Sequence, residues 1–214
     1  MNHMFGNMDP ALQLILLMGS LSLIPFVVVS MTSFLRYIIV LSILKTALGT
    51  QQVPPAIVLV GMALVLTGYT MAPVFGDMYQ AANPAIQHNE PIISIIDKGS
   101  QPLKHFMMRR TRQSDISFFV EMSGRKEAPN SPADLTLWEV APAYMISELR
   151  TAFEIGFVVF IPFIVLDLVV ANILLALGMF MLSPTIISLP FKILIFVAVD
   201  GWSLIVNGLV QSFN

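Results

Sequence analysis

The stretch that decides the fold runs from Phe157 to Leu182 and reads FVVFIPFIVLDLVVANILLALGMFML. Asp167 is its only charged residue. A helix needs about 20 mainly apolar residues to cross the ~30 Å hydrocarbon core of a bilayer, and this stretch is longer than that. It shows no alternation of apolar and polar residues that would favour a strand. We therefore predict a long apolar helical region.

High hydrophobicity and a scarcity of charged residues extend over most of the 214 residues. The chain is 56% hydrophobic and 11% charged, with a mean hydropathy of +0.80, whereas about a quarter of the residues of a soluble domain are charged. Most of the charged residues lie between Pro73 and Arg150. Two apolar stretches precede this region and two follow it, so hydropathy predicts four spans. The expected organisation is an N-terminal hydrophobic helical hairpin (1–72), a polar helical insert (73–142) and a C-terminal hydrophobic helical hairpin (143–214).

Proline and glycine mark the expected breaks in an all-α chain. Pro25, Pro162 and Pro190 each lie inside an apolar stretch, where the ring removes a backbone donor and clashes with the preceding turn. We expect each of them to kink or divide its helix. Pro54, with Val53 before it, predicts a turn after the second helix. The predicted helices are Asp9–Leu35, Ser33–Gly49, Ala56–Met71, Gln101–Glu121, Ala141–Leu182 and Pro184–Phe213.

Charge and composition exclude several classes of function. The net charge of −2 and the pI near 5.9 leave no basic stripe to neutralise phosphates, so we expect no nucleic-acid partner. One basic cluster, at Lys104, Arg109, Arg110 and Arg112, is flanked by acidic residues and predicts either a solvated helix face or a contact with lipid headgroups or a partner. The chain has no cysteine, so thiol chemistry and disulfides are excluded.

The residue patterns of catalysis are missing as well. His3, His88 and His105 are far apart in the sequence, and none lies in an apolar stretch. The chain contains no HExxH zinc motif, no GxSxG nucleophile elbow and no phosphate-binding loop. We predict that it is not an enzyme, has no catalytic residues and binds no cofactor or metal.

Isolated charges in the apolar regions are the more informative residues. Asp167 would cost several kcal/mol in lipid if it lacked a partner, and Lys192, Glu148, Glu154 and Asp200 raise the same question. The possible partners of the carboxylates are Lys192 and, in neighbouring subunits, Arg36 and Arg150. These groups either face other protein chains or lie outside the hydrocarbon. A polytopic small-solute permease is the alternative function, in which Asp167 and Lys192 would form a coupling site near the membrane midplane.

A short apolar loop joins the last two helical regions, near residues 178–184. Met179, Phe180 and Met181 lie between Gly178 and Pro184. Methionine is unbranched and adapts its packing, and a ring of apolar side chains can close a pore by excluding water. The loop therefore predicts either a deformable pore seal or ordinary apolar packing.

Orientation and processing can also be predicted. Arg36 and Lys45 give the connection between the first two apolar stretches a positive excess, which should place it in the cytoplasm. The termini and the polar insert would then lie on the outer side, which is the periplasm in a diderm bacterium. Met1–Asp9 lacks Lys and Arg, so we expect a retained segment rather than a cleaved secretory signal.

Several segments resemble the FliP/SctR family of type III secretion proteins, and they occur in the family's order and spacing from one end of the chain to the other. The insert is less distinctive. The segments are Ser33–Arg36, Ala47–Pro55, Ser147–Leu149, Ala152–Phe153, Ile155–Phe157, Pro162–Phe163, Asp167–Leu168, Ser188–Lys192 and Asp200–Trp202.

This resemblance implies a subunit of the export gate of a flagellum or a virulence injectisome in the bacterial inner membrane. About five copies would assemble in a helical arrangement around a path for unfolded proteins. The partners would be FliQ/SctS-type and FliR/SctT-type small membrane proteins, with FlhB/SctU-type and FlhA/SctV-type proteins of the export apparatus. The resemblance also implies bent hairpins, much of whose apolar surface is lifted above the bilayer towards the periplasm and buried against other subunits.

The resemblance assigns roles to particular residues. Met179, Phe180 and Met181 would form the gasket that constricts the channel, although Phe180 departs from the family's commoner three-methionine pattern. Glu148 and Lys192 would pair between subunits. Transport would be passive, with the driving energy supplied elsewhere.

Overall fold

The computed structural model describes residues 10–50, 52–124 and 135–213, so that Met1–Asp9 and the predictions made for it, including His3, lie outside the described residues. Within the described ranges the chain has eight helices and no strand, which confirms the all-α prediction. They are α1 (Pro10–Met31), α2 (Phe34–Ala47), α3 (Ala56–Gln87), α4 (Ile92–Met108), α5 (Gln113–Met122), α6 (Leu137–Ala176), α7 (Pro184–Ala198) and α8 (Gly201–Gln211).

None of the three prolines divides its helix, so that part of the prediction was wrong, whereas the kinks stay a prediction. α1 continues through Pro25, α6 through Pro162 and α7 through Pro190. The bend within the second part of the chain lies elsewhere: the chain turns by 65° between α7 and α8. Apolar helices tolerate proline where neighbouring groups satisfy the freed carbonyls.

Two hydroxyl groups bond back to the backbone near the end of α1. The Ser30 Oγ donates to the Phe26 carbonyl at 2.7 Å, and the Thr32 Oγ1 donates to the Val28 carbonyl. Hydroxyls that bond back to the carbonyl four residues earlier compete with the helical ladder and bend helices. α1 therefore ends at Met31, before the predicted Leu35, and α2 begins as a separate helix.

A residue in the left-handed conformation explains the bend between α7 and α8. Asp200 has φ +50° and stands between α7 and α8. At Gly201, which begins α8, a Cβ would lie 2.2 Å from the Phe196 ring. Asp is one of the few residues that tolerate the left-handed region, and only glycine lets the backbone come this close to the ring.

Several other predicted boundaries differ from the structure, among them those of α6, which runs from Leu137 to Ala176 and not from Ala141 to Leu182. α3 extends past Met71 to Gln87, so the predicted limit between residues 72 and 73 falls inside a continuous helix. The single helix predicted over Gln101–Glu121 is two helices, because Arg112 has an extended backbone and donates its N–H to the Ser147 Oγ at 3.0 Å.

The chain divides into two compact units. The first comprises residues 1–32 and 71–148, and the second comprises residues 33–70 and 149–214. In the first unit, the buried Tyr144 donates its hydroxyl to the Thr32 carbonyl at 3.0 Å, and its ring lies 6.2 Å from Phe106. The Arg110 guanidinium stacks 4.3 Å from the same Phe106 ring. Lys104 is buried. The basic cluster is therefore not entirely the solvated helix face that was one of the two predictions for it.

The second unit has its own apolar core. Gly156 of α6 allows α2 to approach closely, because a Cβ there would meet the Ile43 side chain at 2.3 Å. The rings of Phe196 and Trp202 meet edge to face at 5.2 Å. The buried core consists of Leu44, Ala47, Leu48, Phe163 and Phe196, and the partly buried Val159, Phe160, Trp202 and Ile205 pack against it.

Much of the apolar surface lies outside these cores. Phe157 and Val158 of α6 are each 65% exposed in the single chain. By length and composition α3 and α6 could each cross a membrane, and the count rises to four if each bent pair forms one span. Contiguous apolar surface on this scale needs lipid or other protein chains to cover it.

Candidate functional site

The loop after α6 has a backbone fixed by hydrogen bonds. The Gly178 N–H donates to the Leu175 carbonyl at 3.0 Å, and the Met179 N–H donates to the Leu174 carbonyl at 2.9 Å. Gly178 has φ +73°, which a residue with a side chain rarely adopts. These bonds form the Schellman motif that ends many helices at glycine. Gly178 thus stops α6 at a defined point and turns the chain outwards.

The side chains that follow point away from the chain. Met179 is 46% exposed, Phe180 is 76% exposed and Met181 is fully exposed. Pro184 then starts α7, at the first helical turn where its missing N–H costs nothing. The loop therefore presents two thioethers and one aromatic ring that its own chain does not cover.

One buried ion pair joins α6 to α7. The Lys192 Nζ lies 2.7 Å from the Asp167 Oδ2, and the Ser188 Oγ donates to the Asp167 Oδ1 at 2.5 Å. The Lys192 side chain is 5% exposed and that of Asp167 is 29% exposed. Lys192 and Ser188 lie one helical turn apart on α7, so both reach the same carboxylate. Apolar residues of α6 and α7, among them Ile173 and Phe191, also line a cavity of about 350 Å³.

Arg36 occupies a second polar contact within the second unit. Its Nη1 donates to the carbonyl and to the Oγ of Ser212, at 3.0 and 2.9 Å, and its guanidinium stacks 3.9 Å from the Phe213 ring. Arg36 is buried in α2, and Lys45 belongs to the last turn of the same helix. Both residues thus lie in the helix predicted over Ser33–Gly49, and the cytoplasmic position inferred from them stays a prediction.

The sequence profile of the FliP family matches residues 17–209. The chain belongs to the FliP family.

Curated relatives cover almost the whole chain. The FliP flagellar biosynthetic protein of Bacillus subtilis (strain 168) is 45% identical over 217 residues, covering 99% of this chain and 98% of the relative. The FliP of Caulobacter vibrioides is 46% identical over 210 residues, covering 98% and 79%. The Yop proteins translocation protein R of Yersinia pestis is 42% identical over 210 residues, covering 95% and 96%. With this family and its apolar helices, the chain is a membrane protein.

Two further charges of this FliP-family chain were predicted to be buried. Glu148 is fully buried and belongs to the first unit. Its pairing with Lys192 of a neighbouring subunit stays a prediction. Asp200 is exposed at the bend between α7 and α8, so its burial also stays a prediction, one that concerns the assembly.

Sequence reasoning missed the polar groups that fix the start of α6 and the α4–α5 break. The Glu139 Oε2 accepts from both the backbone N–H and the hydroxyl of Thr136, at 2.7 and 2.8 Å. This is the reciprocal half of a capping box, and the pattern Thr-x-x-Glu at 136–139 could have revealed it. The Ser147 Oγ donates to the Asp115 Oδ2 at 2.5 Å. No sequence signal links Ser147 to Asp115, because they are 32 residues apart.

No group of three or more histidines and carboxylates suited to a metal ion occurs among the residues that the FliP-family structure describes. The exposed end of the insert carries a simpler pair. Hydrogen bonds from Lys98 and then from Ser94 lower the pKa of Glu90, at the start of α4. This pair fixes a local turn and carries no chemistry.

Proposed function

We propose that this chain is a core subunit of the type III export gate, a gated channel that passes unfolded proteins across the bacterial inner membrane. Family membership over residues 17–209 carries the proposal. The names of the relatives support it, since they are flagellar biosynthetic proteins and a Yop translocation protein. The subunit binds and passes its substrates without a chemical step, and no nucleotide or cofactor enters its mechanism.

The family resemblance implies that the gate contains about five copies of the chain. Assembly of several copies is supported by the apolar side chains that one copy leaves uncovered along α6, because identical copies can cover them in a closed ring. Phe157 and Val158 illustrate this surface. FliQ/SctS-type and FliR/SctT-type proteins complete the ring, and FlhB/SctU-type and FlhA/SctV-type proteins dock on it. The assembled gate extends towards the periplasm, as the family resemblance implies.

The loop at 178–184 closes the channel in this proposal. Its backbone is anchored by the helix end at Gly178, whereas Phe180 and Met181 project from it. Copies of these side chains that meet around an axis form an apolar constriction from which water withdraws. Methionine then yields as a polypeptide passes and re-forms the seal afterwards, because its unbranched chain has three soft torsions.

Charged groups hold the hairpin that carries this loop. The Asp167–Lys192 ion pair ties α6 to α7 within one copy. The Glu148–Lys192 pairing between copies is part of the proposal and rests on the family resemblance; both residues are buried in one copy. Lys192 would then bridge a carboxylate of its own chain and one of its neighbour.

The test of the seal replaces Met179 and Met181 together by glycine. Reconstituted in liposomes as the assembled gate, this variant should conduct ions in the closed state, because the constriction loses its apolar bulk. The matched control is Met122→Gly, which removes an exposed methionine at the end of α5. Closed gates that remain tight in the loop variant, or leak equally in the control, would refute the seal.

A further inference from the structure

The methionines of the chain differ sharply in accessibility. Met181 is fully exposed and Met179 is 46% exposed, whereas Met71 and Met107 are completely buried. Met122 is 67% exposed but lies outside the loop, at the end of α5. Solvent-borne oxidants reach methionine sulfur according to its exposure. In one copy the loop tip is therefore the place where such chemistry meets the least protection, and in the proposed gate an oxidant would reach it from the water on either side of the constriction.

Oxidation changes the property on which the loop depends. A peroxide transfers one oxygen atom to the thioether: the O–O bond breaks, an S=O bond forms, sulfur loses two electrons, and the other oxygen leaves as water or an alcohol. The product is a polar sulfoxide that accepts hydrogen bonds, in place of an apolar, flexible group. Phe180 between the two methionines cannot undergo this reaction, so the change is confined to Met179 and Met181.

We propose that Met181, followed by Met179, is a site of reversible oxidation to methionine sulfoxide, and that peroxide-class oxidants thereby open the channel seal. This inference rests on the proposed function for its consequence, although the reactivity of Met181 does not. A sulfoxide at the tip holds water where the unmodified side chain excludes it, and a dewetted constriction conducts once it is wetted. Methionine sulfoxide reductases return the thioether and close the seal again.

The geometry of the loop makes the effect local. Hydrogen bonds of the Gly178 and Met179 N–H groups to α6 fix the backbone independently of the side-chain sulfur. Oxidation of Met181 therefore leaves the fold of the hairpin intact. Oxidation of a buried methionine such as Met107 would instead disrupt its core, and it first requires local opening of that core.

The first measurement concerns reactivity alone. The assembled gate in detergent is treated with hydrogen peroxide, and sulfoxide at each methionine is followed by peptide mass spectrometry. Met181 should oxidise at least about tenfold faster than Met107, which reacts only when its surroundings open. Equal oxidation rates at Met181 and Met107 would refute Met181 as a preferred oxidation site and would leave the proposed function unaffected.

The second measurement concerns the consequence. For each protein, ion conductance in liposomes is compared before and after peroxide, so that every variant is its own reference. The wild-type conductance should rise several-fold and fall again after treatment with the reductases. The double variant Met179→Leu with Met181→Leu should show no such rise, whereas Met122→Leu should respond as the wild type does. A rise of equal size in the double variant would overturn the proposal.

The outcomes separate this inference from the seal itself. If glycine at 179 and 181 opens the channel but oxidation of Met181 does not, the seal stands and the redox switch fails. If neither change opens it, the seal fails and the switch fails with it.

Discussion

Removal of Asp167 should destabilise the chain more than removal of its partner Lys192. The Lys192 side chain is 5% exposed, whereas that of Asp167 is 29% exposed and also accepts a bond from Ser188. Asp167→Asn leaves a buried ammonium without a carboxylate, a change that costs about 3–5 kcal/mol. Lys192→Met leaves a carboxylate that keeps Ser188 and reaches solvent, so the cost is only about 1–3 kcal/mol.

The double variant Asp167→Asn with Lys192→Met decides whether the two residues act as a pair. It removes both charges together, so its loss should be smaller than that of Asp167→Asn alone. Interacting residues show a coupling of about 0.5–3 kcal/mol in such cycles. Thermal unfolding of the purified chain in mild detergent, followed by circular dichroism, measures all four proteins. A chain of this size shifts by roughly 2–4 °C per kcal/mol.

The matched control is the Glu90–Lys98 pair, which has nearly the same separation, 2.8 Å, but side chains that are 30% and 47% exposed. Glu90→Gln should leave the unfolding temperature almost unchanged, since exposed pairs contribute little. If the losses of stability in Asp167→Asn and Lys192→Met add up to the loss in the double variant, the pairing is refuted. Saturable uptake of a small solute that Asp167→Asn abolishes would instead support the permease alternative.

Two further predictions use the same chain. Gly156→Ala should lower the free energy of unfolding by about 1–3 kcal/mol, because the added methyl overlaps the Ile43 side chain. Gly61→Ala, whose added methyl has nothing within 4 Å, should raise it by up to about 1 kcal/mol. Thermal unfolding in detergent compares the two variants, and an equal response would contradict the close approach of α2 and α6 at Gly156. Lys192→Glu should impair assembly of the gate and Glu148→Lys should partly restore it, measured as the fraction of assembled complex in size-exclusion chromatography; a double variant no better than Lys192→Glu alone would exclude the pairing between copies.

Sequence was sufficient where the physical cause is local. The apolar stretches predict long apolar helices at α3 and α6, because the cost of polar groups in hydrocarbon acts on every residue of a span, but not that α3 continues to Gln87. The loop near 178–184 and the start of α7 at Pro184 also follow from the chemistry of single residues, although the predicted helix ended at Leu182. Asp167 and Lys192 stood out as isolated charges, although the sequence left several partners open for each.

Sequence failed where a distant residue decides the outcome. The Arg36 side chain is buried because its guanidinium binds Ser212 and stacks on Phe213, which are far away along the chain. Proline at 162 is visible in sequence, but whether the helix breaks there depends on neighbours that satisfy its carbonyls. The bend between α7 and α8 depends on the left-handed Asp200, which gives no strong periodic signal.

Native mass spectrometry of the chain, co-expressed with its genomic neighbours and held in mild detergent, tests the central claim most directly. We expect a discrete complex with about five copies of this chain and two kinds of small hydrophobic partner. A monomer or a simple dimer without such partners would contradict the export-gate function and favour the permease alternative.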